Sequence, residues 1–171
     1  MLLIFDWDGT LADSREHIVA AMQAAISTLQ LPTQTDNRCA QMIGLGLQET
    51  ALKLFPHFYH NGVDEQKGLD QSGLEQFAKS YSSHFVDLKQ QYGPTQFFPG
   101  AIDTLEQLKG QGHLLAVATG KSRRGLDRAL AADNLVDLFI ATRAADETAS
   151  KPNPMMLEAL LHETQMSAEQ A

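Results

Sequence analysis

The chain has 171 residues, of which 43% are hydrophobic and 20% are charged, a composition typical of a folded globular protein. Its net charge of -8 argues against nucleic acid or an anionic membrane surface as the main partner. The only cysteine is Cys39, which excludes an intrachain disulfide and a cysteine-built metal site. No apolar run is long enough to span a bilayer, and the first residues lack a signal-peptide pattern, so we expect a cytoplasmic protein.

The first predicted element is a short buried strand over residues 2–5, which is followed at once by two acidic residues. Ligands of open α/β sheets bind at the carboxyl ends of the strands. Alternate side chains of an extended segment point the same way, so Asp6 and Asp8 can face one site while Trp7 points elsewhere. An isolated pair of acids is weak evidence of a site, and its interpretation depends on the rest of the chain.

The next part of the chain has helical periodicity and shows no strand pattern. We predict helices over 15–30, 35–42, 47–55 and 72–91, with Ser14 as the N-cap of the first, a glycine-containing break at 43–46 and a loop over 60–71. Such a long helical stretch inside an α/β pattern indicates an inserted helical module.

Strand and helix patterns alternate in the remainder of the chain. We predict helices over 101–109, 123–130 and 154–162, and strands over 113–118 and 138–142. This alternation favours a parallel sheet. Polar residues follow the predicted strands, namely Thr119, Gly120 and Lys121 after the first and Lys151 after the second.

The sequence D-W-D-G-T-L-A-D-S over residues 6–14 resembles motif one of the haloacid dehalogenase superfamily of phosphohydrolases. Thr119 and Lys151 resemble its second and third motifs, in the expected order. The resemblance implies a doubly wound, Rossmann-like α/β core formed by residues 1–14 and 92–171. It also implies that residues 15–91 form an inserted α-helical cap domain, as in members similar to phosphoglycolate phosphatase.

The same resemblance assigns catalytic roles. Asp6 would be the nucleophile that accepts the phosphoryl group, and Asp8 would protonate the leaving group and then activate water. Thr119 with the following backbone N–H would hold phosphoryl oxygens, and Lys151 would stabilise negative charge in the transition state. Mg²⁺, held by the Asp6 carboxylate and the Asp8 backbone carbonyl, would offset the repulsion between Asp6 and the phosphate.

Six further residues are candidate substrate-binding residues: Gly9, Thr10, Gly44, Gly46, Gly120 and Lys121. Gly44 and Gly46 resemble the cap loop that faces the substrate in such phosphatases, although a simple helix break explains them equally well. Lys121 could meet an acidic group of the substrate, although a basic residue at a helix start more often lies on the surface.

These features together predict a Mg²⁺-dependent phosphatase that hydrolyses a small, phosphoglycolate-like phosphomonoester through an aspartyl-phosphate. Dehalogenases of the superfamily lack the second aspartate of motif one, so Asp8 favours phosphate chemistry. A phosphomutase, a phosphorylated receiver domain and a weak or inactive phosphate-binding remnant remain as alternatives. The expected partner is a small phosphorylated metabolite, and both a monomer and a homodimer remain open.

A fourth motif of the family, an apolar strand that ends in G-D and another acid, would follow Lys151 by roughly 20 to 30 residues. The sequence stops at Ala171, before such a strand. We therefore expect a truncated chain with weakened Mg²⁺ binding, low activity and an unpaired strand edge at residues 2–5.

Overall fold

The computed structural model describes residues 1–56 and 69–171, so most of the predicted 60–71 loop lies outside the described residues. In chain order the helices and strands are β1 (Leu2–Phe5), β2 (Ala12–Asp13), α1 (Arg15–Thr28), α2 (Asp36–Ala40), α3 (Leu47–Leu54), α4 (Gln71–Tyr92), β3 (Gln96–Phe97), α5 (Ala101–Gly110), β4 (Leu114–Ala118), α6 (Arg123–Ala132), β5 (Ala141–Arg143) and α7 (Met155–Thr164). Short 3-10 turns occupy Val136–Leu138 and Ala168–Gln170.

The chain divides into two compact units. The sheet unit consists of Met1–Asp13, Gly44–Gly46 and Gln96–Ala171, and the helical unit consists of Ser14–Ile43 and Leu47–Thr95. The helical unit is therefore inserted in the sequence of the sheet unit. Within this insertion, residues Gly44–Gly46 belong to the sheet unit.

The sheet unit is built on a parallel three-stranded sheet in the order β1–β4–β5. Leu2 of β1 pairs with Leu114 of β4, and Ala116 of β4 pairs with Ala141 of β5. Parallel pairing brings the carboxyl ends of the three strands to one edge of the sheet, the edge at which such folds bind ligands. The predicted α/β fold with a parallel sheet is confirmed.

Side chains of β1 alternate between two apolar clusters, because successive side chains of a strand point to opposite faces. Leu3 and Phe5 pack with the cluster that contains Trp7. Leu2 and Ile4 belong to the cluster on α7, around Met156 and Leu160. Each face of the sheet is thus covered, which explains why β1 reads as an uninterrupted apolar run.

Trp7 continues the alternation past the end of β1. Its side chain is only 2% exposed and makes edge-to-face contacts with Phe97 and Phe139. The Trp7 ring therefore anchors the start of the loop that carries Asp6 and Asp8, and it points away from them as expected.

In the helical unit, α1 packs against α2 and α4, and α3 packs against α4. Thr35 caps α2 by accepting a hydrogen bond from the Arg38 N–H, and Asp70 caps α4 in the same way through Gly73. Ser14 occupies the predicted N-cap position of α1, but its side chain makes no capping hydrogen bond.

Cys39 lies on α2 and is completely buried. Burial raises the pKa of the Cys39 thiol, and the nearby Asp36 carboxylate raises it further, because both disfavour the thiolate.

Within the parts of the chain that are described, no helix has the length and apolar character needed to cross a membrane.

Two local predictions in the sheet unit need correction, and one strand pair was not predicted. Leu138 lies in a 3-10 turn and the third strand of the sheet begins only at Ala141, since the apolar pattern continues through both elements. Pro154 precedes the first residue of α7 instead of occupying its first turn. The antiparallel pair of β2 and β3 was not predicted, because two-residue strands are too short to show a periodicity.

Candidate active site

The loop after β1 holds the first two candidate residues. Asp6 directly follows the strand, and its Oδ1 accepts a hydrogen bond from the Trp7 N–H at 2.8 Å. Asp8 is largely buried, with 9% exposure. Because Trp7 points into the core, the side chains of Asp6 and Asp8 point the other way. Residues from other parts of the sheet unit contact these two carboxylates.

Lys151 is the partner of Asp6. Its Nζ lies 3.0 Å from Asp6 Oδ1 and also donates a hydrogen bond to the carbonyl oxygen of Ala118, at 2.9 Å. The two charged side chains are 28% and 27% exposed. Ala118 is the last residue of β4, so this lysine joins the ends of β1 and β4.

Lys121 forms a second ion pair, with Asp8. Its Nζ lies 3.0 Å from Asp8 Oδ2, and the side chains are 14% and 9% exposed. The structure therefore places Lys121, which precedes α6, beside Asp8 and not on the surface. Each of the two aspartates has its own lysine.

The segment after β4 supplies Thr119 and Gly120, both of which are buried. The Thr119 Oγ1 accepts a hydrogen bond from the Lys121 N–H at 3.2 Å, and the Thr119 N–H donates to the carbonyl of Arg143 at 3.0 Å. These bonds fix the turn that directs Lys121 toward Asp8. The role of Thr119 toward a phosphoryl group stays a prediction.

Gly44 and Gly46, from the break between α2 and α3, also reach this edge of the sheet. A methyl group at Gly44 would lie 3.3 Å from Asp6 Oδ2, and the Gly46 N–H donates to Ser150 Oγ at 2.9 Å. The helix break is thus packed on the candidate site. The sequence did not predict a role for Ser150, since nothing in its local sequence distinguishes it from an ordinary loop serine.

Gly9 and Thr10 occupy the turn that follows Asp8, and both are exposed. Gly9 has φ +78°, which favours glycine, and its N–H donates to the Ala12 carbonyl at 2.9 Å. The Thr10 N–H donates to the carbonyl of Trp7 at 3.3 Å. Both amides are used within the turn, and their predicted substrate contact remains a prediction.

The donor set of the site suits a hard cation. Asp6 and Asp8 supply only oxygen atoms, which Mg²⁺ prefers, and Mg²⁺ commonly uses one or two protein carboxylates together with water and phosphate oxygens. Over residues 1–56 and 69–171 no group of three or more His, Cys, Asp or Glu side chains could hold a metal. The oxygen donors at the end of β1 fit a hard cation in their chemistry.

These features define an α/β protein with two acid–lysine pairs at the carboxyl edge of a parallel sheet. The sequence profile of the haloacid dehalogenase-like hydrolases matches residues 3–171, and the chain belongs to this family.

Two relatives show how far the similarity extends. A "Phosphoglycolate phosphatase" of Aliivibrio fischeri is 30% identical over 99% of this chain and 72% of its own length. A Dickeya dadantii protein named "Probable phosphatase IndB" is 33% identical over 91% of this chain, and the match covers only 64% of that relative. The chain thus spans about two thirds of the length of these relatives.

Solved structures share the fold. A haloacid dehalogenase-like hydrolase from Bacteroides fragilis superposes with a TM-score of 0.78 at 26% identity, over 97% of this chain and 73% of that one. CbbY from Rhodobacter sphaeroides, solved with phosphate, has a TM-score of 0.77 at 23% identity, over 99% of this chain and 75% of its own.

Proposed function

We propose that the protein is a Mg²⁺-dependent phosphatase that hydrolyses a small phosphomonoester through an aspartyl-phosphate. The observation that carries this proposal is the pair of ion pairs, Asp6 with Lys151 and Asp8 with Lys121, each with an N–O distance of 3.0 Å. Two carboxylates beside two ammonium groups provide a nucleophile, an acid–base group and positive charge for a phosphoryl group within one site. Membership of the hydrolase family supports the same chemistry.

In the first step of the proposed reaction, a carboxylate oxygen of Asp6 attacks phosphorus. The step starts from the protonated form of Asp8, which the second step restores. A bond forms between Asp6 and the phosphoryl group, the bond from phosphorus to the alcohol oxygen breaks, and Asp8 gives its proton to that oxygen. In the second step Asp8 takes a proton from water, which attacks phosphorus, releases inorganic phosphate and restores the Asp6 carboxylate. Atoms and protons balance over the two steps.

Lys151 holds Asp6 in place before the reaction, because its Nζ is fixed at the same time by the Ala118 carbonyl. As negative charge moves onto the phosphoryl oxygens, the same ammonium group supplies positive charge 3.0 Å from the reacting carboxylate. Preorganised charge of this kind needs no reorganisation during the reaction.

The Asp6 carboxylate and the Asp8 backbone carbonyl would hold Mg²⁺. When bound, the ion supplies positive charge that offsets the repulsion between the Asp6 carboxylate and the dianionic phosphate. The oxygen-only donor set at the end of β1 supports this assignment.

The substrate class that we propose is a small phosphomonoester similar to phosphoglycolate, on the support of the relatives that carry that name. We further propose that the helical unit acts as a cap that encloses this substrate, and that the protein works in the cytoplasm, in line with its single, buried cysteine.

A phosphate-release assay tests the proposal. The purified protein is incubated with Mg²⁺ and a panel of small phosphomonoesters that includes phosphoglycolate, and the experiment is repeated with chelator and with Asp6→Asn. We expect release that requires Mg²⁺ and disappears in Asp6→Asn, while Asp103→Asn, an exposed acid in the first turn of α5, keeps full activity. Release by Asp6→Asn at the unchanged rate would rule out Asp6 as the nucleophile.

A further inference from the structure

Residues Gly44–Gly46 form a short backbone segment that we call the glycine strap. The strap lies between α2 and α3 in sequence, but it packs with the sheet unit. Three separate parts of the sheet unit contact it: the loop that carries Asp6, the turn that carries Gly120 and the loop that carries Ser150. Such contacts exceed what a simple connection between two helices requires.

The closest approach is between the strap and Gly120. A Cβ atom at Gly120 would lie 2.5 Å from the Leu45 carbonyl oxygen and 2.6 Å from that of Gly44. These distances are far shorter than van der Waals contact, and both neighbours are backbone atoms that cannot rotate away. Only glycine at position 120 therefore allows the strap to lie where it does.

The strap also lies directly beside the proposed nucleophile. Gly44 has φ +92°, and a Cβ atom at this residue would lie 3.3 Å from Asp6 Oδ2. The backbone of Gly44 thus limits the space next to that carboxylate oxygen. A side chain at this position would have to be accommodated at the expense of the Asp6 geometry.

Ser150 fixes the other end of the strap. Its Oγ accepts the hydrogen bond of the Gly46 N–H at 2.9 Å, and a Cβ atom at Gly46 would lie 2.8 Å from the same oxygen. The next residue along the chain is Lys151, whose Nζ pairs with Asp6 at 3.0 Å. The loop that carries Ser150 and Lys151 therefore contacts both Asp6 and the glycine strap.

We propose that Ser150 is a positioning residue, which seats the glycine strap beside Asp6 and so fixes one wall of the reaction site. This inference rests on the proposed function, since it concerns the same nucleophile. Ser150 acts through the Gly46 amide and does not itself touch the reacting atoms. Loss of one neutral hydrogen bond changes an equilibrium by about 3- to 10-fold, and a similar change in turnover is expected when the strap is released.

The test uses Ser150→Ala and Ser150→Thr, which keeps the hydroxyl group. The control is Ser167→Ala, which removes the hydroxyl group of an exposed serine near the end of the chain. Amide hydrogen exchange at Gly46, followed by NMR, reports on the strap without any need for activity. Turnover of a compact alkyl phosphate, with kcat and KM separated, reports on its effect.

We expect Ser150→Ala to speed exchange at Gly46 and to lower kcat by about 3- to 10-fold. Ser150→Thr should restore both, and Ser167→Ala should change neither. Unaltered exchange in Ser150→Ala would overturn the seating of the strap, and faster exchange with unaltered kcat would overturn the positioning role. Absence of turnover by the unsubstituted protein would instead refute the proposed function, and the exchange measurement still separates the two failures.

Discussion

Replacement of Lys151 by methionine separates the catalytic from the structural contribution of this residue. The unit charges of Lys151 and Asp6 attract each other by about 5.5 kcal/mol at 3.0 Å and an effective dielectric constant near 20. Dehydration offsets most of this energy, and because about a quarter of each side chain is exposed, the net contribution to folding is about 0–1 kcal/mol. Stability should therefore change little.

Catalysis by Lys151→Met should change much more. The distribution of negative charge in the transition state differs from that in the bound substrate, and Lys151 stabilises the transition state. Removal of one preorganised stabilising group costs about 10²- to 10³-fold in kcat. Phosphate release with saturating Mg²⁺ and urea unfolding measure the two effects on the same preparation. Lys109→Met is the control, since Lys109 also donates to a backbone carbonyl, that of Asp137. A fall in kcat below threefold, or a parallel loss in both variants, would refute the assigned role.

Three further changes test other parts of the structure. Trp7→Ala should reduce the free energy of unfolding by about 3–5 kcal/mol in urea titrations, because it empties a buried aromatic site, and a loss below about 1 kcal/mol would contradict the packing. Gly44→Ala should reduce kcat at least several-fold, because of its positive φ and the contact with the nucleophile, whereas Gly110→Ala, which meets open space, should not. The raised pKa of Cys39 means that the folded state keeps its thiol proton longer than the unfolded state. Its contribution to stability is therefore full below the unfolded pKa of about 8.5 and is lost as pH rises through the folded value, so the stability of the wild-type protein should decline more steeply above about pH 9 than that of Cys39→Ala.

The strand pattern was sufficient to predict the sheet and the direction in which the side chains of Asp6 and Asp8 point. Residues 2–5 form an apolar run long enough to specify a buried strand, and the two-residue period then separates Trp7 from Asp6 and Asp8. The order of the strands along the chain predicted that Lys151 and Thr119 would lie at the same edge. These inferences need only local periodicity and the topology of parallel sheets.

Contacts that depend on tertiary packing were not predictable in the same way. The pairing of Lys121 with Asp8 depends on the direction of a long side chain, which residue spacing does not specify. The hydrogen bond between Gly46 and Ser150 joins residues 104 positions apart, and neither residue carries a local signal for it. Gly120 could be read as a turn glycine, whereas the structure shows that the carbonyl groups of Gly44 and Leu45 exclude any side chain there.

The central claim is that Asp6 carries the phosphoryl group during the reaction. Rapid acid quench during turnover of a small phosphomonoester with Mg²⁺, followed by borohydride reduction and peptide mass spectrometry, identifies the carboxylate that forms an acyl phosphate. The proposed mechanism predicts a reduced residue at position 6 that is absent without substrate. Modification of another carboxylate, with Asp6 unmodified while phosphate is being released, would contradict it.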